Sequence, residues 1–212
     1  MHLAYVLTTH KKLLYNFKTQ EAEALLNQAL VYHPNNKSLI RLAAISHLSN
    51  LNYTMAAWKL SALDPTFKPI HTLSRSMGRD SKTVNISNLT KVYSFLNEQN
   101  ADLAMANMSY QLRNKLNTVD KEILFNTLMK QLNHYVKTID IKQGKLSIKG
   151  SSPIVDFSPL PLIIFTEIDI SKIGTDDINE VIFCAPKALK INVLTYSKFS
   201  EDLKTIKYSI VK

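Results

Sequence analysis

The chain has 212 residues, of which 45% are hydrophobic and 20% charged, and its formal net charge is +9. That length and apolar content suit one large domain or two small ones with a working core, and they exclude extended disorder. A single cysteine, Cys184 in the apolar run "EVIFCAP", excludes an internal disulfide and a cysteine-based metal site. No run approaches the roughly 18 apolar residues of a membrane span, and "MHLAYVLTTHKK" lacks the basic start and small-residue cleavage site of a signal segment, so a cytoplasmic protein with no membrane span is expected.

The basic excess is mostly lysine. Of 26 basic residues 22 are Lys and only 4 are Arg, the better fork for phosphate. Residues 1–140 carry 16 basic and 9 acidic residues, whereas 141–212 carry 10 and 8. The abundance of Lys, Asn and Ile points to AT-rich codons as one source of the charge.

The elements follow in chain order. Leu3 to Phe17 has helical spacing. In "EAEALLNQALVYHPNN", Ala22, Leu25, Leu26, Ala29 and Leu30 form one helical stripe. Thr19 is the expected N-cap, and Pro34 with Asn35-Asn36 ends the helix. A second pair follows from Lys37 to Ser49 and from Tyr53 to Leu63, closing on "ALDP". Pro34 and Pro65 lie 31 residues apart, and small alanines alternate with large apolar residues, as closely packed helices require.

These residues carry a resemblance. Ala22, Leu26, Ala29 and Pro34 match the second helix of a tetratricopeptide repeat, and "MAAWKLSALDP" is similar in its ending. The likeness covers about residues 1–65 and departs in two ways. The spacing is three residues short of the family's period, and Val6, Thr9 and His10 stand where its Trp-Leu-Gly and Tyr would fall. The resemblance implies stacked helical hairpins whose first helices line a concave groove. By that register the partner-binding residues are Lys11, Tyr15, Arg41, Ile45 and Leu48. Their two cations beside apolar side chains would hold an acidic or carboxylate-ended peptide.

Residues 66–85 read as a short helix and an exposed basic connection. Three further helices are expected at Ser87–Glu98, Ala101–Leu116 and Thr118–Lys137, the last with Thr118 as N-cap and the role of closing the stack. From Ile139 the spacing changes to alternation. "IDIKQGKLSIKG" reads as a hairpin turning at Gln143-Gly144, and "LPLIIFTEIDI", "INEVIFCAP", "LKINVLTYS" and "TIKYSIVK" as further strands. The expected fold class is therefore α+β. It has a tetratricopeptide-like helical repeat domain over 1–138 and a small antiparallel β-rich domain over 139–212.

Signals for catalysis are thin. The six histidines are scattered, with no metalloprotease spacing, and "SMGRDSK" lacks the glycines of a phosphate loop. Neither a metal nor a cofactor is called for. Glu167 and Asp169 share one face of a strand and could serve a glycan-acting site, although a solvated face accounts for them better. The function expected is non-catalytic: an adaptor or scaffold, by analogy with other helical repeats in a bacterial assembly, secretion or surface-polysaccharide system. Its β domain would act as a second docking surface or homodimer contact. The alternatives are a nucleic-acid-associated protein using Arg75, Arg79, Lys82 and Lys91, and a glycan-acting accessory domain using Glu167 and Asp169.

Overall fold

The computed structural model describes residues 2–80, 85–175, 177–185, 187–188, 190–195 and 204–209. The fold is α+β, with helices first and a small sheet after them. The chain divides into two compact units, residues 1–116 and 117–212.

The first unit contains α1 (Leu3–Tyr15), α2 (Thr19–Tyr32), α3 (Lys37–Ser49), α4 (Tyr53–Leu60), α5 (Lys68–Arg79), α6 (Ile86–Glu98) and α7 (Asp102–Leu112). Consecutive helices pack as hairpins around Val6, Leu26, Ala29, Leu39, Ile40 and Ala43. Asparagine starts several of them. The side chains of Asn36, Asn52 and Asn85 accept the backbone N–H of Leu39, Met55 and Asn88, meeting one orphan donor of each first turn. Thr19 is not a cap; it is the first helical residue of α2 and follows Lys18.

The helix ends explain why this half manages almost without glycine. Phe17, Leu51 and Asn100 take positive φ of 53°, 60° and 52° just past α1, α3 and α6. Each time the next amide reaches back to a carbonyl five residues earlier: Lys18 to Leu13, Asn52 to His47 and Ala101 to Leu96. This is the Schellman closure, here made without its usual glycine.

In the second unit α8 (Thr118–Leu132) precedes the strands β1 (Val136–Lys142), β2 (Lys145–Gly150), β3 (Glu167–Thr175), β4 (Lys190–Thr195) and β5 (Lys204–Ser209), with α9 (Ile178–Cys184) between β3 and β4. The N-cap of α8 is Asn117, which accepts from the Asp120 amide at 2.9 Å; Thr118 follows it inside the helix. The expected boundary at residue 138 therefore gives way to one before α8. The reason is packing, because α8 buries Phe125 against Phe165 of the crossover into β3, ring centroids 5.5 Å apart.

The sheet order is β1-β2-β3-β4-β5. The expected β1–β2 hairpin is present, turning at Gln143 and Gly144, both at positive φ. The sheet is mixed, however, and not antiparallel: β2 with β3 and β3 with β4 run parallel, while β4 with β5 is antiparallel. Residues 151–166 and α9 each carry the chain back to its starting end, which a parallel neighbour requires. "INEVIFCAP" thus holds a helix, not a strand. The Asp177 carboxylate accepts the Asn179 and Glu180 amides and sets its first turn. Cys184 is buried on α9.

Gly150 closes β2 opposite Val136. A Cβ there would run into the Tyr135 carbonyl and the Ile173 side chain. Gly150→Ala is therefore expected to destabilise the second unit by about 1–3 kcal/mol, read as a lower Tm. An unchanged melt would show that the strand end yields freely.

Candidate functional site

The groove expected from the repeat register is filled by the chain itself. α7 packs on both α3 and α1. Asn107 donates its amide to the Leu14 carbonyl at 2.9 Å and to its own Leu103 carbonyl at 2.7 Å, and Tyr110 stacks on Phe17 at 4.8 Å. Residues 43–49 of α3 are all buried, so Ile45 (5% exposed) and Leu48 (0%) are core residues and line no groove. Arg41 is exposed near the start of α3. Lys11 and Tyr15 stay together on the outer side of α1, with the ammonium 5.9 Å from the ring. The structure therefore does not assemble the five residues into one site.

Of the basic set, Arg75 and Arg79 lie one turn apart on the exposed side of α5 and Lys91 is exposed on α6; Lys82 falls outside the described residues. Lys68 and Thr72 continue the α5 face. Its inward side carries Ile70 and Ser74, and Gly78 lets α4 approach so closely that a Cβ there would stand 2.6 Å from Thr54 Oγ1.

Glu167 and Asp169 share a sheet face, but their surroundings do not suit acid catalysis. Glu167 lies between the strand neighbours Lys145 and Lys190, at 3.1 and 3.2 Å, and these ammonium groups hold its carboxyl below the usual carboxylate range. A general acid needs the opposite shift. Asp169 accepts from the Ser171 amide at 3.0 Å and from its hydroxyl at 2.6 Å. Asp177 is the cap of α9, and Asp176 falls outside the described residues. Among the described residues no cluster of three His, Cys, Asp or Glu could hold a metal.

Two histidines are buried in the helical unit. His10 Nε2 lies 3.0 Å from Ser46 Oγ, and burial pushes its pKa down to about 4. His47 places Nδ1 3.1 Å from Glu23 Oε2, close but poorly aligned for a hydrogen bond.

Glu23 leads to a feature that the sequence did not disclose. A cleft of about 420 Å³ opens in the helical unit, lined by Gln20, Glu23 and Asn27 of α2, Asn50 and Asn52 at the α3–α4 turn, and Gln111 of α7. The lining is organised. Asn50 donates both amide hydrogens, to the Thr19 carbonyl at 3.1 Å and to Glu23 Oε2 at 2.7 Å. Gln111 donates to Thr19 Oγ1 at 3.0 Å. His47, with Asn50 assisting, holds the Glu23 carboxyl below its usual range against the opposing effect of partial burial. Positions 20, 23 and 27 do lie on one side of a helix, beside the apolar stripe. In the sequence that pattern is indistinguishable from a solvated face.

No family model, curated protein or solved structure matches this chain. Among the described residues no helix is long and apolar enough to cross a membrane.

Proposed function

We propose that this is a non-catalytic interaction protein, a scaffold or adaptor, whose helical unit holds a segment of a partner protein in the cleft between α2, the α3–α4 turn and α7. The observation that carries the reading is the lining itself: side-chain amides around an open cleft of about 420 Å³. An amide presents a donor and an acceptor together, the same pair that an extended peptide backbone presents. The tetratricopeptide-like hairpins support a binding role, with the contact moved from Ile45 and Leu48 to the cleft. A cytoplasmic setting is part of the same proposal.

The test is site-specific photocrosslinking in the source cell, with the reactive side chain at Asn27 and, for comparison, at Lys142 on the sheet. A discrete protein adduct from position 27 alone is expected. Equal adducts from both positions, or none from position 27, would overturn the reading.

One observation favours a second reading, association with nucleic acid: the α5 face sets Arg75 and Arg79 one turn apart, and among the described residues neither forms an ion pair with a carboxylate. Binding carried by that face would fall steeply with salt.

A further inference from the structure

We infer that the cleft takes a cationic, multi-donor side chain of its partner, a guanidinium before an ammonium, and not the acidic peptide that the basic composition invites. The inference rests on reading the cleft as the partner site, and it comes from counting which hydrogen-bonding groups of the lining are already engaged. Asn50 has both N–H groups committed, to a carbonyl and a carboxylate. Both partners are pure acceptors, so the amide nitrogen must face them, and Oδ1 is left buried without a partner. Gln111 has turned its amide nitrogen to Thr19 Oγ1. Glu23 receives both of its contacts, from Asn50 and His47, on Oε2. The acceptors left open to a ligand include Glu23 Oε1 and Gln111 Oε1, and among the described residues no Lys or Arg lines the cleft.

Such a set, with the Glu23 charge and no cation facing it, disfavours a carboxylate or phosphate, although the Gln20, Asn27 and Asn52 amides could donate to one. It suits a group that brings several N–H donors and positive charge. Guanidinium has five donors in a planar fork and no acceptor, and it pairs with a carboxylate more strongly than a neutral donor does. The Glu23 carboxyl, held below its usual range by His47 and Asn50, stays ionised at neutral pH to receive it. Gln20, Asn27 and Asn52 remain for the backbone on either side. Asn52 keeps its amide hydrogens for this, since its oxygen caps α4.

The experiment titrates the full chain with acetyl-Gly-Arg-Gly-amide and, separately, with the same peptide carrying citrulline, which keeps the shape and removes the charge. The side-chain amide resonances of Asn27, Asn50 and Gln111 are followed by NMR. Saturable shifts at these amides with the arginine peptide are expected, with at least tenfold weaker binding of the citrulline peptide and a similar loss in Glu23→Gln. Ala24→Phe, a substitution of an exposed wall residue, should block the cleft while leaving the Glu23 contacts in place, and it answers the question if Glu23→Gln proves unstable. Equal binding of the two peptides, or no shift at these amides with arginine, would overturn the inference. If arginine binds as described while Asn27 crosslinks to no protein in the cell, the chemistry of the cleft stands and the scaffold reading falls. If a partner crosslinks at Asn27 but arginine and citrulline bind alike, the reverse holds.

Discussion

Acidification from pH 6.5 to pH 4 is expected to remove about 3 kcal/mol of stability from the helical unit through one side chain, His10. This histidine is 3% exposed, against Ser46, and burial lowers its pKa from 6.5 to about 4. Between those values the unfolded chain binds a proton that the folded chain refuses. Stability therefore rises with pH across the window and is fully present above pH 6.5. The measurement is urea unfolding at a series of pH values, followed by helical circular dichroism. His10→Gln keeps a hydrogen-bonding partner for Ser46 and cannot titrate, so its stability should be flat where the wild type declines. Parallel curves would assign the acid sensitivity to other groups. Glu23 acts at lower pH. Its depressed pKa contributes stability that is present above the ordinary carboxylate range and is lost as pH falls through the folded value.

Asn133→Ala is expected to destabilise the second unit by about 3 kcal/mol and to release the loop that follows β2. Asn133 is 4% exposed at the end of α8. It donates to the Asp156 carbonyl at 2.8 Å, and its oxygen accepts the Val155 and Asp156 amides, both at 3.0 Å. Alanine would take the Asn133 partner from three backbone groups, the Asp156 carbonyl and amide in a buried place and the Val155 amide at its partly exposed edge. The loop is further tied by Glu180 Oε1, which accepts the Phe157 amide at 3.1 Å. Hydrogen exchange gives the local readout: the amides of Val155 and Asp156 should exchange much faster in the variant, while those of the β1–β2 hairpin change only with global stability. A uniform change across the unit would mean that Asn133 contributes packing alone.

Several features were readable because their cause is local. The spacing of Ala22, Leu26 and Ala29 makes a helix stripe whatever it packs against. Gln143-Gly144 between alternating apolar residues makes a hairpin turn because both can take positive φ. The order of helices first and strands afterwards followed from the change in period at residue 139. The cap positions were less legible. Thr19 and Thr118 have suitable side chains, but the caps fell to neighbours, and Asn117 won because its side-chain Oδ1 accepts the Asp120 amide.

Only tertiary structure decided the rest. Ile45 and Leu48 have the same spacing whether they face a groove or another helix, and the arrival of α7 chose the second. The run at 178–184 is apolar and β-branched enough for a strand, and the Asp177 cap together with the need for a parallel crossover made it a helix. α8 reads as the last helix of a stack by its period, yet Phe125 finds its partner in Phe165, forty residues later. The cleft joins residue 20 to residue 111 through Thr19, and side chains so far apart in sequence leave no periodic trace of their meeting. The sequence determined which faces were apolar and where the chain turns. Which apolar faces met, and which polar side chains were left gathered around an opening, depended on long-range packing that no local period encodes.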